Sequence, residues 1–348
     1  MTNKFLIIDN DYSRISGSTK FIHDELDKII KYDLVWDEKW SKSKNYDKKI
    51  FNNYENIIFI HSFLPLNEIL KIQKKNIIWI PMFDSLYNLN QLNSYFWKSI
   101  KFLNIKIISF SELITRKCID HNIEILTLKY FLKTSENINY NLNKLNILFW
   151  DRGELQIKDW LNYFNKNDVA RITIIQRPDP RKKPSYISQK DKTDYNVEVK
   201  KIGYIEKSKY NEYLFSHNVY VSPRFREGIG IAYLEALSYG MFIVGINAPT
   251  MNEYLKDSKV GKIIKIGDKQ DPKLNLKEII ENQKYRINFN SENFINFKEK
   301  ILNLKDFLFS RKEIKNHNFK IKIYIHLYQY IYNFLFFIKR ILIRIKII

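Results

Sequence analysis

The sequence predicts an α/β protein built from two doubly wound parallel sheets. Short β-branched and aromatic runs, each closed by polar or turn residues, recur in the first part of the chain: KFLIID, NIIFIHS, NIIWIPM and IKIISFS. Segments with helical spacing of apolar residues separate them, such as STKFIHDELDKIIKY. Near Asn146 the pattern restarts with NILFWDRG, RITIIQR, VYVSP and MFIVGIN. Apolar runs of this length suit strands that are covered on both faces, as in parallel sheets.

The restart predicts two domains followed by a tail. We expect a first Rossmann-like domain over residues 1–143 and a second over 144–290. Residues 291–312 are expected to form a helix that packs back toward the first domain, and 313–348 a basic aromatic tail. In such sheets ligands bind outside the carboxyl ends of the strands. The sequence therefore predicts a central cleft that the two domains face.

The composition is that of a globular protein with an anionic partner. The 348 residues carry a formal net charge of +20, which nucleic acid, anionic lipid or a phosphorylated substrate would complement. The single cysteine, Cys118, excludes an intramolecular disulfide and is typical of a reducing cytoplasm. The first ten residues, MTNKFLIIDN, are too poor in apolar residues for a signal peptide. No run of about 18 apolar residues predicts a spanning helix.

The stretch REGIGIAYLEALSYG carries the most specific chemistry in the chain. Glu227 follows the predicted strand VYVSP, and Glu235 lies two helical turns later. Gly228 and Gly230 allow close approach of a ligand to the backbone. The free N–H groups at the start of the following helix suit a diphosphate. The alternative interpretation is a surface helix with a capping acid.

The segment VYVSPRFREGIGIAYLEALSYGMFIVGINAPTMNEYL resembles the signature of retaining GT-B glycosyltransferases with an E-x7-E motif, the large family four, or glycosyl transferases group one. KKIGYIEKSKYNEYLFSHNVYVSP and VGKIIKIGD resemble the flanking segments of these enzymes. The resemblance extends over roughly residues 145–268 and is weak before that. It implies a GT-B fold, with an acceptor-binding first domain and a second domain that binds a nucleotide sugar.

The resemblance implies separate roles for the residues around the first acid. Glu227 would contact the transferred sugar as a catalytic residue. The backbone at Gly228, Ile229 and Gly230 would lie against the donor, and Arg226 would contribute to donor binding.

Three further residues have implied roles toward the donor. Glu235 would hold the ribose of the nucleotide. Arg152 in FWDRG and Lys158 in LQIKDW match the pair of cations that binds the donor diphosphate in the family. Two cations would neutralise the charge that grows as the glycosidic bond breaks. The alternative for Lys158 is a solvated helix lysine. No ligand cluster for a metal is visible, and we expect neither a metal nor a cofactor.

The first domain departs from the family pattern at two places. Where family members often carry a Gly-Gly loop, this chain has only Gly17, and where many carry a histidine, it has Phe83 and Asp84. Asp84 is a candidate for sugar or acceptor contact, and a helix cap is the alternative. His61 ends an earlier predicted strand and is a second candidate, although a structural histidine is the more common case.

A competing motif lies at the end of the first predicted strand. Asp9 and Asp11 form an Asp-x-Asp, which metal-dependent GT-A transferases use to hold a divalent cation. In those enzymes the motif comes well into the chain, and Asp and Asn are common turn formers. We therefore favour a turn.

The C-terminal tail combines positive charge with aromatic residues. Residues 314–348 contain no acidic residue, and basic clusters flank the stretch IYIHLYQYIYNFLFFI. Apolar residues keep near-helical spacing at Ile321, Ile325, Tyr328, Leu335, Ile338 and Leu342. This pattern predicts a helix in the membrane interface, with its basic residues toward anionic headgroups. The alternative is a final helix packed on the first domain.

Taken with these features, the resemblance implies a metal-independent glycosyltransferase. It would move a sugar from a nucleotide-diphosphate donor to a lipid-linked surface polysaccharide intermediate, with retention of anomeric configuration. We expect it in the cytoplasm, peripheral on the inner face of the cell membrane, with no nucleic-acid partner. The alternatives are a nucleotide-sugar-binding protein that transfers nothing and a sugar-nucleotide epimerase of the same fold. A phosphorylase would need a lysine context for pyridoxal that the sequence does not show.

Overall fold

The chain forms two compact units. The first comprises residues 1–128 and 301–348, and the second residues 129–300. The computed structural model describes residues 4–38, 46–88, 94–179, 182–201, 205–222, 224–265, 273–310, 323, 325–328 and 330. No helix among these residues is long and apolar enough to cross a bilayer.

A six-stranded sheet forms the centre of the first unit. Its strands are β1 (Phe5–Asn10), β2 (Tyr32–Asp37), β3 (Asn56–Ile60), β4 (Asn76–Ile80), β5 (Lys106–Ser109) and β6 (Ile125–Thr127). All pair in parallel, in the order β2-β1-β3-β4-β5-β6. The chain passes from β1 to β2 on one side and then to β3 on the other. The topological switch point of this sheet, where such folds bind ligands, therefore lies between β1 and β3.

Helices and one 3-10 helix (Lys48–Asn53) connect these strands. The helices are α1 (Asp11–Ser16), α2 (Lys20–Leu26), α3 (Leu66–Lys71), α4 (Phe83–Asn88), α5 (Ser94–Phe102) and α6 (Glu112–Asp120). The predicted helix after the first strand thus begins at Lys20, and the short helix α1, which was not predicted, precedes it. α1 forms because the Asn10 side chain accepts a hydrogen bond from Tyr12 N and caps its first turn.

The second unit contains a second parallel sheet of six strands. These are β7 (Leu145–Asp151), β8 (Val169–Gln176), β9 (Val197–Lys201), β10 (Val219–Val221), β11 (Phe242–Ile246) and β12 (Gly261–Ile264). Their order is β12-β11-β10-β7-β8-β9. The chain moves from β7 outward through β8 and β9 and returns to β10 on the other side of β7. The switch point of this sheet lies between β7 and β10.

The described residues of this unit form seven helices and a 3-10 helix (Lys166–Asp168), and the last helix ends at the boundary of the unit. The helices are α7 (Lys158–Leu161), α8 (Gln189–Asp194), α9 (Lys207–Phe215), α10 (Ile231–Ser238), α11 (Met251–Tyr254), α12 (Leu276–Glu281) and α13 (Gln283–Ile301). Two parallel six-stranded sheets flanked by helices confirm the predicted class of two Rossmann-like domains.

The division between the units differs from the predicted boundaries at residues 129–143 and 291–300. Both stretches lie in the second unit. Asn290 Nδ2 donates to Leu132 O at 3.0 Å and to Thr134 Oγ1 at 2.9 Å, which ties α13 to the strand-free stretch before β7. These contacts join residues that are far apart in sequence, so local patterns do not reveal them.

The chain returns to the first unit at Ile301, and α14 (Leu304–Phe309) packs there. The buried Lys106 donates to the carbonyl oxygens of Phe307 and Ser310 at 2.5 and 2.7 Å. A cation at the end of a helix matches the negative end of its dipole. Ile325 is buried in the same core, so part of the predicted tail packs on the first unit. Apart from residues 323, 325–328 and 330, the predicted tail 313–348 lies outside the described residues.

Candidate active site at the carboxyl edge of the second sheet

The loop after β7 is fixed by the buried carboxylate of Asp151. This carboxylate accepts hydrogen bonds from the amides of Gly153 at 2.9 Å and Ser185 at 2.6 Å. Arg152 lies between the two bonded residues Asp151 and Gly153. Because both flanking positions are held, the backbone of Arg152 is fixed at the carboxyl end of the strand.

The loop after β10 carries Glu227. The Glu227 amide donates to Pro249 O at 3.4 Å, which joins this loop to the one that follows β11. The Phe225 amide donates to Glu154 Oε2 at 3.0 Å, which joins it to the loop after β7. The loop is therefore supported by the loops that follow both neighbouring strands, β7 and β11.

A chain of four charged side chains joins the two loops at the switch point. Arg152 forms an ion pair with Asp179, which follows β8. The other carboxylate oxygen of Asp179 lies 3.4 Å from Arg224, and Arg224 Nε lies 3.5 Å from Glu227 Oε1. All four side chains are only about one fifth exposed. The structure thus brings Arg152 and Glu227 together, 75 positions apart in the numbering, through two intermediate residues.

Helix α10 begins directly after this loop. Gly230 precedes it with φ of 75°, and its carbonyl accepts from the amides of Tyr233 and Leu234 at 3.1 Å. The amides of Ile231 and Ala232 have no acceptor among the described residues. Unpaired amides at a helix N-terminus favour an anion.

Gly228, Ile229 and Arg226 lie in the same loop. Ile229 is buried, whereas Gly228 and Arg226 are half-buried. The backbone between the acid and the helix is therefore partly accessible, and the Ile229 side chain anchors it.

Glu235 lies on α10 and forms an ion pair with Lys207, the first residue of α9. Burial raises the pKa of the Glu235 carboxyl, and Lys207 opposes the shift. Both Glu227 and Glu235 also raise the pKa of Tyr220 on β10, after the larger effect of burial. Both acids therefore lie near enough to Tyr220 to affect its pKa, although they pair with different cations.

Lys158 is placed differently from Arg152. It is exposed at the start of the short helix α7, and no hydrogen bond or ion pair joins its side chain to the residues that the structure describes. The structure therefore does not link the two predicted diphosphate cations.

The three candidates of the first unit lie at separate places in its fold. Gly17 is exposed and ends α1 with φ of 69°. His61 directly follows β3, next to the switch point, with φ of 61°, and its amide donates to Ile80 O at 2.9 Å. Asp84 is half-buried in the first turn of α4. Of these, His61 alone follows a strand that borders the switch point.

The Asp-x-Asp motif at the end of β1 is structural at its first acid. The Asp9 carboxylate is fully buried and accepts from Thr19 Oγ1 at 2.6 Å and Asn10 N at 2.7 Å. Its Oδ2 also lies 3.0 Å from His23 Nε2. No cluster of three or more metal-ligating side chains occurs in the described part of the chain.

Asp179, Arg224 and Lys207 were not predicted as site residues from the sequence. Arg224 precedes Glu227 by only three residues, so the sequence could have suggested an ion pair between them. Asp179 and Lys207 belong to segments far from the motif, and only the fold brings them to the two acids.

Comparison with solved structures identifies the class of fold. The lipopolysaccharide outer core galactosyltransferase WaaB, in its apo form, matches with a TM-score of 0.55 and 14% identity, covering 86% of this chain and 99% of that chain. The N-terminal domain of Candida albicans trehalose-6-phosphate phosphatase matches with a TM-score of 0.51 and 11% identity, covering 88% and 97%. The two Rossmann-like sheets and the match to WaaB are those of a GT-B fold.

The sequence of the second unit adds a family match. Residues 159–294 match the family model described as glycosyl transferases group 1, a range that contains Asp179, Arg224, Glu227 and Glu235. No curated protein sequence matches the chain. Over these residues the second unit is therefore similar to glycosyl transferases group 1.

Proposed function

We propose that the protein transfers a sugar from a nucleotide-diphosphate donor to an acceptor hydroxyl, with retention of configuration and without a metal. The observation that carries this proposal is the charged chain from Arg152 to Glu227 across the switch point of the second sheet. It combines cations for a diphosphate with an acid for a sugar at the edge where α/β sheets bind ligands.

In this proposal the donor lies along the loop before α10. Glu227 contacts the transferred sugar, with the backbone of Gly228, Ile229 and Gly230 and the side chain of Arg226 alongside. The diphosphate lies near Arg152 and the unpaired amides of α10. Since two such amides and a guanidinium donate hydrogen bonds there, they stabilise the negative charge that develops on the leaving group.

Glu235 accepts hydrogen bonds from the ribose hydroxyls in this arrangement. Its ion pair with Lys207 opposes the rise that burial causes in the pKa of this carboxyl. Lys158 adds positive charge from the exposed start of α7. The departing phosphate takes up the proton of the acceptor hydroxyl, so that no protein nucleophile and no cofactor is required.

The acceptor binds the first unit in this proposal. His61 is the candidate of first choice for contact with the sugar or acceptor, because it directly follows β3 at the switch point and has an uncommon left-handed backbone. Asp84 is the second candidate. Gly17 ends α1 and so shapes the segment that follows β1.

We also propose that the acceptor is lipid-linked and that the tail holds the protein at an anionic membrane surface on its cytoplasmic side. Ile325 anchors the tail in the core, while Leu327 and Tyr330 are 56% and 72% exposed. Basic residues flank this aromatic stretch, which favours an anionic interface.

Co-sedimentation with vesicles of phosphatidylglycerol and phosphatidylcholine tests the membrane role. The double substitution Leu327→Glu and Tyr330→Glu should reduce binding, whereas Leu302→Glu, at another exposed apolar residue, should not. Equal binding of all three proteins would contradict the membrane role.

The transfer proposal is tested by release of nucleoside diphosphate from a panel of nucleotide sugars. We expect one or more donors to be turned over, Glu227→Gln to lower the rate at least about a hundredfold, and a chelator to leave it unchanged. Glu212→Gln, at an exposed acid paired with Lys209, is the matched control. Binding without turnover would favour an idle nucleotide-sugar-binding protein. An epimerised product would favour an epimerase.

A further inference from the structure

Asp179 ties together the loops that follow β7, β8 and β10. Its amide donates to Arg152 O at 3.0 Å, and its side chain pairs with Arg152 and Arg224 through separate oxygens. One carboxylate therefore holds two guanidinium groups that come from opposite sides of the switch point.

Arg224 occupies the position between this carboxylate and the proposed sugar acid. It is 22% exposed and lies within 3.5 Å of both Asp179 and Glu227. An arginine here has side-chain donors toward two different acids in a partly buried site. Its planar fork of N–H groups suits phosphate oxygens as well as carboxylates.

The electrostatics of this cluster match those of a diphosphate site. Arg152 Nε is buried and has no hydrogen-bond partner among the described residues, although its terminal nitrogen is bonded to Asp179. A buried unpaired donor is costly unless a ligand completes it. Lys158, by contrast, is exposed and takes no part in the described network.

We propose that Arg224 binds the donor diphosphate together with Arg152, and that Asp179 is the positioning residue that holds the two guanidinium groups in register. This proposal rests on the proposed function and assigns the second cation of the site to the loop of Glu227. Asp179 acts through the arginines and does not contact the substrate. Asp179 orients the two cations, but its own negative charge repels the diphosphate and so weakens the attraction of the site for the ligand.

The test compares binding of nucleoside diphosphates and the matching monophosphates by calorimetry. UDP, GDP and ADP are screened first, and the one that binds the natural protein is used with its monophosphate. Arg224→Met should weaken diphosphate binding roughly tenfold, the usual effect of a lost charge-assisted hydrogen bond, and monophosphate binding much less. Arg224→Lys should restore part of the difference. Lys183→Met, which removes an exposed cation from the loop of Asp179, should change neither affinity.

Asp179→Asn separates positioning from a general loss of structure. Removing the carboxylate should leave diphosphate binding as tight as before or tighter, while kcat falls at least about tenfold because the arginines lose their orientation. A residue needed only for folding would weaken binding and turnover together. Thermal unfolding of each variant shows whether it is folded.

The outcomes distinguish this inference from the proposed function. If no nucleoside diphosphate binds the natural protein, or if Glu227→Gln retains full transfer, the proposed function fails and the inference fails with it. If both of those tests succeed but Arg224→Met binds diphosphate and monophosphate as the natural protein does, the inference alone is overturned. Parallel loss of binding and turnover in a folded Asp179→Asn would overturn the positioning role.

Discussion

A Cβ atom added to Gly230 would lie 1.8 Å from Cε1 of Tyr233. Gly230 has left-handed backbone at the start of α10, and the Tyr233 ring is buried one turn later, where burial raises the pKa of its hydroxyl. The ring therefore packs directly against the backbone at the N-terminus of the helix. Glycine is required at this position both for its φ angle and for the space that the ring occupies.

This relationship predicts the effect of Gly230→Ala. The left-handed backbone costs about 1–2 kcal/mol for an alanine, and displacement of the ring adds about 1–3 kcal/mol. Gly17→Ala is the matched control, since Gly17 has φ of 69° but no atom within 4 Å of the added Cβ. Denaturant unfolding should therefore show a clearly larger loss for Gly230→Ala. Equal losses would mean that the Tyr233 ring moves away freely.

Glu235→Gln should stabilise the protein as the pH rises. Burial raises the folded-state pKa of Glu235 above its ordinary value of 4.5. Below that pH the carboxyl is protonated in both states and the variant has no advantage. As the pH rises toward the folded-state pKa, the unfolded state loses its proton first, so the natural protein loses stability. The variant does not, although its transfer activity should fall.

The measurement for Glu235 is the unfolding free energy of both proteins from pH 4 upward. Lys207 is 63% exposed, so water solvates its charge when Gln replaces Glu235, and the variant is not left with a buried unpaired cation. Glu212→Gln provides the comparison at an exposed ion pair. A Glu235→Gln variant that is less stable at neutral pH than at pH 4, relative to the natural protein, would contradict the sign of the effect.

Lys106→Met should loosen α14 from the first unit. The ammonium group is buried, and its acceptors are three backbone carbonyls and the hydroxyl of Ser310. Methionine fills a similar volume but leaves Ser310 O without a donor among the described residues. Asn76 Nδ2 still donates to Leu308 O, and Ser310 Oγ to Phe307 O. The expected cost is about 2 kcal/mol in unfolding free energy. Lys71→Met, at a largely exposed ion pair, should change stability by less than about 0.5 kcal/mol. Hydrogen exchange of the amides of residues 304–309 would locate the effect, and unchanged exchange there would count against it.

His217 should make the second unit sensitive to acid. Its ring lies between Thr173 Oγ1, 2.8 Å from Nε2, and Tyr213 O, 2.6 Å from Nδ1, and burial lowers its pKa from 6.5 to about 4. As the pH falls below 6.5 the unfolded state takes up a proton that the folded state refuses, so stability is lost until about pH 4. The full loss is about 3 kcal/mol.

His217→Gln should flatten the dependence of the unfolding free energy on pH between 6.5 and 4, although it lowers stability at pH 7. His121→Gln removes a histidine from the first unit and leaves the His217 site intact, so it should keep the slope. A slope that survives in His217→Gln would assign the acid sensitivity to other groups.

The fully buried strands of both sheets were predictable because their signal is local, whereas the partly exposed β2 and the three-residue β6 were not predicted. Runs such as NIIFI and FIVGI are buried over their whole length, and continuous apolar segments of this kind are typical of strands covered on both faces. The short helix α1 was missed because DYSRIS has no apolar periodicity. Its formation depends on the Asn10 cap and on the glycine that ends it.

The class of fold and the placement of two acids around one helix start were predictable, since both follow from neighbours within a few residues. What those acids contact depends on how the chain folds. Glu227 pairs with Arg224 within its own loop. The series of ion pairs then continues to Asp179 and Arg152, which follow other strands. Glu235 pairs with Lys207, which belongs to another helix. Parallel connections bring distant strand ends to one edge of a sheet. Ion pairs at that edge depend on this three-dimensional placement, and no local pattern in the sequence encodes it.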